Sequence, residues 1–125
     1  MNPRDRNADR RHFSRIPFDA EVRVTGAAGT WDSHLIDLSL NGALITRPSD
    51  WRVERGERCT LSMSLGGDID IRMEATVAHA DAQQVGVQCT HIDLDSITHL
   101  RRLLELNMGD SRLLDRELAA LGHDV

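Results

Sequence analysis

Residues 17–91 alternate apolar and polar side chains with period two, and turn residues separate the alternating runs. Near Asp93 the spacing becomes helical. Together these observations predict a mainly β domain: a six-stranded antiparallel barrel or sandwich with C-terminal helices packed on it. A chain of 125 residues is long enough to bury a hydrophobic core of this kind.

The first strand rests on Phe18, Ala20, Val22 and Val24, which alternate with Asp19, Glu21, Arg23 and Thr25; GAAG at 26–29 then turns the chain. TWDSHLIDL (30–38) alternates less strictly and predicts a second strand, and ALIT (43–46) a short third. RPSDWRVERGER (47–58) reads as a longer loop punctuated by Pro48 and Gly56. Cys59, Leu61, Met63 and Leu65 share one face of a fourth strand, and Gly66-Gly67 makes a tight turn. Ile69, Ile71, Met73, Ala75 and Val77 line a long fifth strand; Val85, Val87 and Cys89 line a sixth. Closure of such a sheet removes its exposed edges.

Leu94, Ile97, Leu100 and Leu104, with Leu103 widening the stripe, predict a helix over about 94–107. Gly109 can end it and Asp110 can cap a second helix over about 110–121, whose stripe is Leu113, Leu114, Leu118 and Leu121. Stripes this dense must be covered: most of their length is expected to pack on the barrel, the alternative being that part of it serves as a partner surface.

Charge is unevenly placed. The chain has no lysine and a net charge of −5, yet Arg4, Arg6, Arg10, Arg11 and Arg15 against Asp5 and Asp9 give residues 1–16 a local +3. The remainder therefore sums to −8. An acidic body lacks the broad basic face of a DNA or RNA binder, whereas a positive arm suits a small anion. Arginine's planar fork grips phosphate with two hydrogen bonds and stacks on aromatic rings.

Other classes find little support. There is no apolar run of membrane-spanning length and no signal-peptide pattern, so a cytoplasmic protein without membrane insertion is expected. Cys59 and Cys89 fall in alternating apolar segments and read as core residues, not as a disulfide or metal pair. His34, Asp37 and Ser39 crowd one short segment, while catalytic triads assemble from distant ones. With six scattered histidines and no nucleophile elbow or phosphate-cradling glycine loop, no enzyme, metal site or cofactor is expected.

Two short motifs carry the binding argument. In DLSLNGA (37–43), Asp37, Ser39 and Asn41 alternate, so an extended backbone puts them on one side, and Gly42 permits close approach to the main chain. Arg-x-x-x-Arg occurs at Arg6/Arg10, Arg11/Arg15 and Arg112/Arg116; the last pair merely shares a helix face. Only Arg11-His-Phe-Ser-Arg15 runs straight into the first strand, about one hairpin before Asp37-x-Ser39-x-x-Gly42.

This pairing resembles the PilZ domain family, whose hallmarks are RxxxR and [D/N]xSxxG in that order and at about that separation. The resemblance extends from roughly Arg10 to the chain end and is strongest with stand-alone bacterial PilZ proteins. It implies a six-stranded antiparallel PilZ-type barrel over residues 15–125, helices included, preceded by a flexible Arg-rich arm at 1–14. It also implies binding of the second messenger cyclic di-GMP, in biofilm or motility signalling. Arg11 and Arg15 would clasp phosphate and meet guanine, Asp37 would accept from a guanine donor edge, and Ser39 would bond a base or phosphate. Gly42 would admit the ligand close to the backbone, and Arg10 would add a phosphate contact.

His12, Asn41 and His79 are outer candidates. His12 stands where relatives can carry another arginine, and His79 where they can carry an aromatic. The resemblance leaves open one nucleotide or a stacked pair. The expected state is a monomer whose arm orders over the ligand and presents a changed surface to an unknown downstream protein. The competing reading is a PilZ-like protein-interaction scaffold in pilus or motility control that binds no nucleotide.

Overall fold

Alternating side chains produce six strands: β1 Ile16–Gly26, β2 Gly29–Ser39, β3 Gly42–Thr46, β4 Arg58–Ser64, β5 Asp70–Ala80 and β6 Gln84–Ile92. The computed structural model describes residues 15–64, 69–108 and 111–122. The predicted arm at 1–14, the turn at Gly66-Gly67 and the Gly109–Asp110 junction lie outside them.

The strands close into an antiparallel barrel in the order β1-β2-β3-β6-β5-β4, with β4 pairing back onto β1. Two three-stranded meanders, β1-β2-β3 and β4-β5-β6, therefore meet along two seams, β3–β6 and β1–β4. The loop at 47–57 carries the chain from one meander to the other.

The inward face follows the predicted alternation over most of its length. Val22, Val24, Leu35, Ile45, Leu61, Met63, Ile71, Met73, Ala75, Val77 and Val85 are buried. Two expectations shift at strand starts. A bulge between Pro17 and Ala20 breaks the β1–β2 register, so Phe18 and Ala20 pack on the core only partly buried and Ile16 takes the inward place. Ile69 precedes β5 and is 43% exposed, because the strand begins only at Asp70.

The loop reading at 47–58 concealed a core residue. Trp51 is 1% exposed and stacks on Trp31, with ring centroids 5.3 Å apart and planes inclined by 22°. Its indole Nε1 donates to Glu57 Oε2 at 3.2 Å, satisfying the one polar atom that burial would strand. Arg47 Nη2 donates to the Trp51 carbonyl at 3.1 Å and Nη1 to the Asp81 carbonyl at 3.0 Å, clamping this loop to the β5–β6 turn. Gly56 adopts a φ of +89°, a left-handed conformation that favours glycine, and its N–H donates to Val77 O at 2.8 Å.

Helix α1 spans Leu94–Met108 and α2 Ser111–Gly122. Asp93 caps α1: its Oδ2 accepts the Ser96 N–H at 3.0 Å, and its carbonyl accepts from Ile97 N. The Ser96 hydroxyl and N–H hold the Asp93 carboxyl below its ordinary range. Ser96 Oγ also accepts from Arg72 N at 3.0 Å, tying the start of α1 to β5. Leu100 and Leu104 are fully buried in the core. Helix α2 docks on α1 through the Arg101–Asp115 ion pair, and Leu118 packs partly buried against the core.

Cys59 and Cys89 are free thiols, and burial pushes each up to about 11. Among the described residues no helix is long and apolar enough to cross a membrane.

Candidate functional site

The start of β1, the β2–β3 turn and the outer faces of β3, β6 and β5 enclose a cleft of about 310 Å³. Arg15, Asp37, Ser39, Asn41, Gly42 and His79 all line it, so the structure brings together every predicted site residue that it describes. Arg10, Arg11 and His12 lie outside the described residues.

Arg15 and Asp37 meet at the edge of the cleft because Pro17 pairs with Asp37 across β1–β2. Arg15 Nη2 donates to Asp37 Oδ2 at 2.8 Å and to Oδ1 at 3.0 Å, and Nε donates to Oδ1 at 3.2 Å. This two-pronged pair fixes the plane of the guanidinium. Its two Nη1 N–H groups stand outside the pair. The second arginine of RxxxR and the aspartate of DxSxxG thus form one structural unit.

Ser39 shapes the turn from within. It is 5% exposed, and its hydroxyl hydrogen faces Asn41 Oδ1 at 2.9 Å and the Gly42 carbonyl at 3.3 Å. The Asn41 carbonyl accepts from Cys89 N at 2.7 Å, fastening the turn to β6. Gly42 is required for a different reason than backbone freedom, since its φ is not in the left-handed region. A Cβ there would lie 2.2 Å from Val87 O, inside the β3–β6 ladder. The glycine therefore admits the neighbouring strand, which is what closes the barrel beneath the cleft.

His79 does not continue the inward register of Met73 and Val77. A shift in β5–β6 pairing between Val77 and His79 turns it outward onto the cleft, where it pairs with Gly86 across β6. Its Nε2 stands 3.5 Å from Asp81 Oδ2. The N–H groups of Gln83 and Gln84 hold the Asp81 carboxyl below its ordinary range, with His79 adding to the effect.

Sequence reasoning missed the floor and far wall: Leu44, Ala78, Gly86 and Gln88. Alternation puts Gly86 and Gln88 on the outer face of β6. Nothing in the sequence shows that β6 lies beside β3. A second cleft, of about 470 Å³, lies over Thr25, Arg58, Thr60, Glu74, Thr76 and Thr90 and contains no motif residue. Among the described residues no three His, Cys, Asp or Glu side chains gather to hold a metal ion.

Known proteins share this architecture. The PilZ domain of CeSA from a cellulose-synthesizing bacterium is 20% identical, with a TM-score of 0.59 over 77% of this chain and 96% of that one. The Bacillus subtilis inhibitor of motility MotI/DgrA is 17% identical with a TM-score of 0.62, over 77% of this chain and 52% of that one. The PilZ domain of YcgR from Escherichia coli, determined with c-di-GMP, is 16% identical with a TM-score of 0.65, over 93% of this chain and 99% of that one. At such identities the likeness speaks for the fold. The sequence itself matches the PilZ domain model over residues 9–106. A barrel of this topology and a match across most of the chain lead to one conclusion: the protein belongs to the PilZ domain family.

Proposed function

We propose that the protein is a receptor for the bacterial second messenger cyclic di-GMP, acting through an interaction and not through catalysis. The observation that carries this reading is the Arg15–Asp37 pair at the edge of the cleft. It offers a cation for phosphate and the Hoogsteen edge of guanine beside an acceptor for a guanine donor edge. The E. coli YcgR PilZ domain, determined with c-di-GMP, supports the same ligand.

In this reading Arg10, Arg11 and Arg15 grip phosphate and guanine, and Asp37 accepts from a guanine N–H. Ser39, Asn41 and Gly42 hold the turn against which the ligand rests, and His79 supplies a flat ring on the far side. His12 adds charge when protonated. Small-ligand clefts run from about 300 to 1,000 Å³. This one lies at the low end, so it holds part of the dinucleotide and leaves the rest at its mouth, where a second, stacked nucleotide can join.

Charge-assisted hydrogen bonds are worth about 1.5–3 kcal/mol each, and micromolar affinity requires about 8 kcal/mol. Three arginine contacts supply much of that, offset in part by ordering residues 1–14. Bound nucleotide then changes the charge and shape that this cytoplasmic, monomeric protein presents to a downstream partner.

Calorimetric titration of cyclic di-GMP into the wild type and an Arg11→Ala/Arg15→Ala variant tests the proposal. Micromolar or tighter binding that the variant loses is expected, and the stoichiometry counts the nucleotides. No heat and no thermal shift in the wild type would overturn it in favour of a protein-interaction scaffold.

A further inference from the structure

Two glycines lie in the cleft, and only one of them is explained by the fold. Gly42 is demanded by the approach of Val87 O. At Gly86 a Cβ would meet nothing closer than His79 Cβ and Leu44 Cδ1, each at 3.8 Å, which is ordinary van der Waals contact. Its φ is not left-handed either. The backbone and its neighbours would accept a Cβ here.

Glycine in a strand interior carries a cost, because it gives up packing and loses the most conformational freedom on folding. Gly86 lies within β6, paired on both sides: with Leu44 of β3 and with His79 of β5. Directly paired residues project to the same face, so Leu44 and His79 rise from the outer face with no side chain between them. Two strand spacings set these walls roughly 10 Å apart at the backbone. Ala78, the residue displaced by the register shift, adds only a methyl group beside the slot.

The slot is apolar on the Leu44 side, aromatic on the His79 side, and floored by bare main chain. We propose that Gly86 is a specificity-determining position: its missing side chain keeps open a seat for one planar heteroaromatic ring of the ligand, between Leu44 and His79. This rests on the cyclic dinucleotide reading and assigns one of its two bases to this seat. The Arg15–Asp37 pair then handles phosphate and the other base from the opposite rim.

Isothermal titration of cyclic di-GMP into wild type, Gly86→Ala, Gly86→Val and Arg15→Ala proteins, with melting curves for each, tests this. Gly86→Val, a strand-favouring change, should melt at or above the wild-type temperature yet bind at least tenfold more weakly. Gly86→Ala should lose at least threefold, and it decides the matter if the valine variant fails to fold. A stacked base is also visible directly: ring current should move the Leu44 methyl protons upfield when nucleotide is added to the wild type. Folded Gly86 variants that bind within twofold of wild type overturn the seat, as does nucleotide binding that leaves the Leu44 methyls unmoved. In either case a deficit in Arg15→Ala would keep the receptor reading intact. Absence of binding in the wild type would remove both.

Discussion

Arg15 and Asp37, 22 positions apart, form a single two-pronged unit in which Nε and Nη2 of the guanidinium face both carboxylate oxygens. The arginine side chain is 58% exposed and the carboxylate 20%. An ion pair this open contributes only about 0.2–1 kcal/mol to folding. Its value for stability is small, and its value for fixing the guanidinium plane is not. Asp37→Ala should therefore shift the urea midpoint little while weakening cyclic di-GMP binding at least tenfold. A loss of stability equal to the loss of affinity would show the pair to be structural.

Gly42→Ala should behave in the opposite way. A Cβ 2.2 Å from the Val87 carbonyl forces the β3–β6 ladder apart. Overpacking against backbone costs about 1–3 kcal/mol. Chemical denaturation should show this cost in the absence of any nucleotide.

Trp51→Ala should be among the most damaging changes in the loop between the meanders. Removing a buried indole costs about 3–5 kcal/mol, and here it also leaves Trp31 without its stacking partner. Near-ultraviolet circular dichroism should lose the signal of the stacked pair, and the melting temperature should fall with it.

The two thiols should be inert in the native state. Burial pushes Cys59 and Cys89 up to about 11, so only about one molecule in a thousand is thiolate at pH 8. Titration with a disulfide reagent at pH 8 should be at least a hundredfold slower in buffer than in denaturant. Rapid labelling of Cys89 in the folded protein would contradict the burial that β6 gives it.

Asp93 and Asp81 both have carboxyls held below the ordinary range, the first by the Ser96 hydroxyl and N–H, the second by the Gln83 and Gln84 N–H groups. A carboxyl depressed by folding stabilises the native state above its unfolded pKa, and that contribution disappears as pH falls through the folded value. The melting temperature should hold from pH 7 to about 4, where free aspartate titrates, and decline below that. Asp93→Ala, which removes the cap of α1, should lower the neutral-pH melting temperature by a few degrees and flatten the acid decline.

Much of the barrel could be read from alternation, because each inward side chain from Val22 to Val85 had to choose a face and its polar neighbours chose the other. Trp51 escaped because burial in a loop has no period, and the partners that shelter it, Trp31 and Glu57, are set by tertiary contact. Asp37, Ser39 and Gly42 were legible as a motif, although the geometry gives Gly42 a packing reason that no spacing reveals. His79 stands two positions beyond Val77, where strict alternation turns a side chain inward, and one irregular pairing in β5–β6 turns it outward instead. Gly86 and Leu44 were illegible as neighbours. Their contact depends on which strands meet at the seam, a choice made by the whole sheet.

The position of the cleft on that seam bears on how the protein folds. Arg15, Asp37 and Gly42 come from the first meander, and His79, Gly86 and Gln88 from the second. Each meander is built from sequence-local hairpins, whereas β3–β6 contacts such as Gly42–Gln88 close long loops and are expected to form late. A chain with two finished meanders and an open seam has no cleft. A ligand held there should accordingly slow unfolding while leaving the folding rate nearly unchanged, as for any contact absent from the transition state. Occupancy of the cleft would then be recorded in the lifetime of the native barrel.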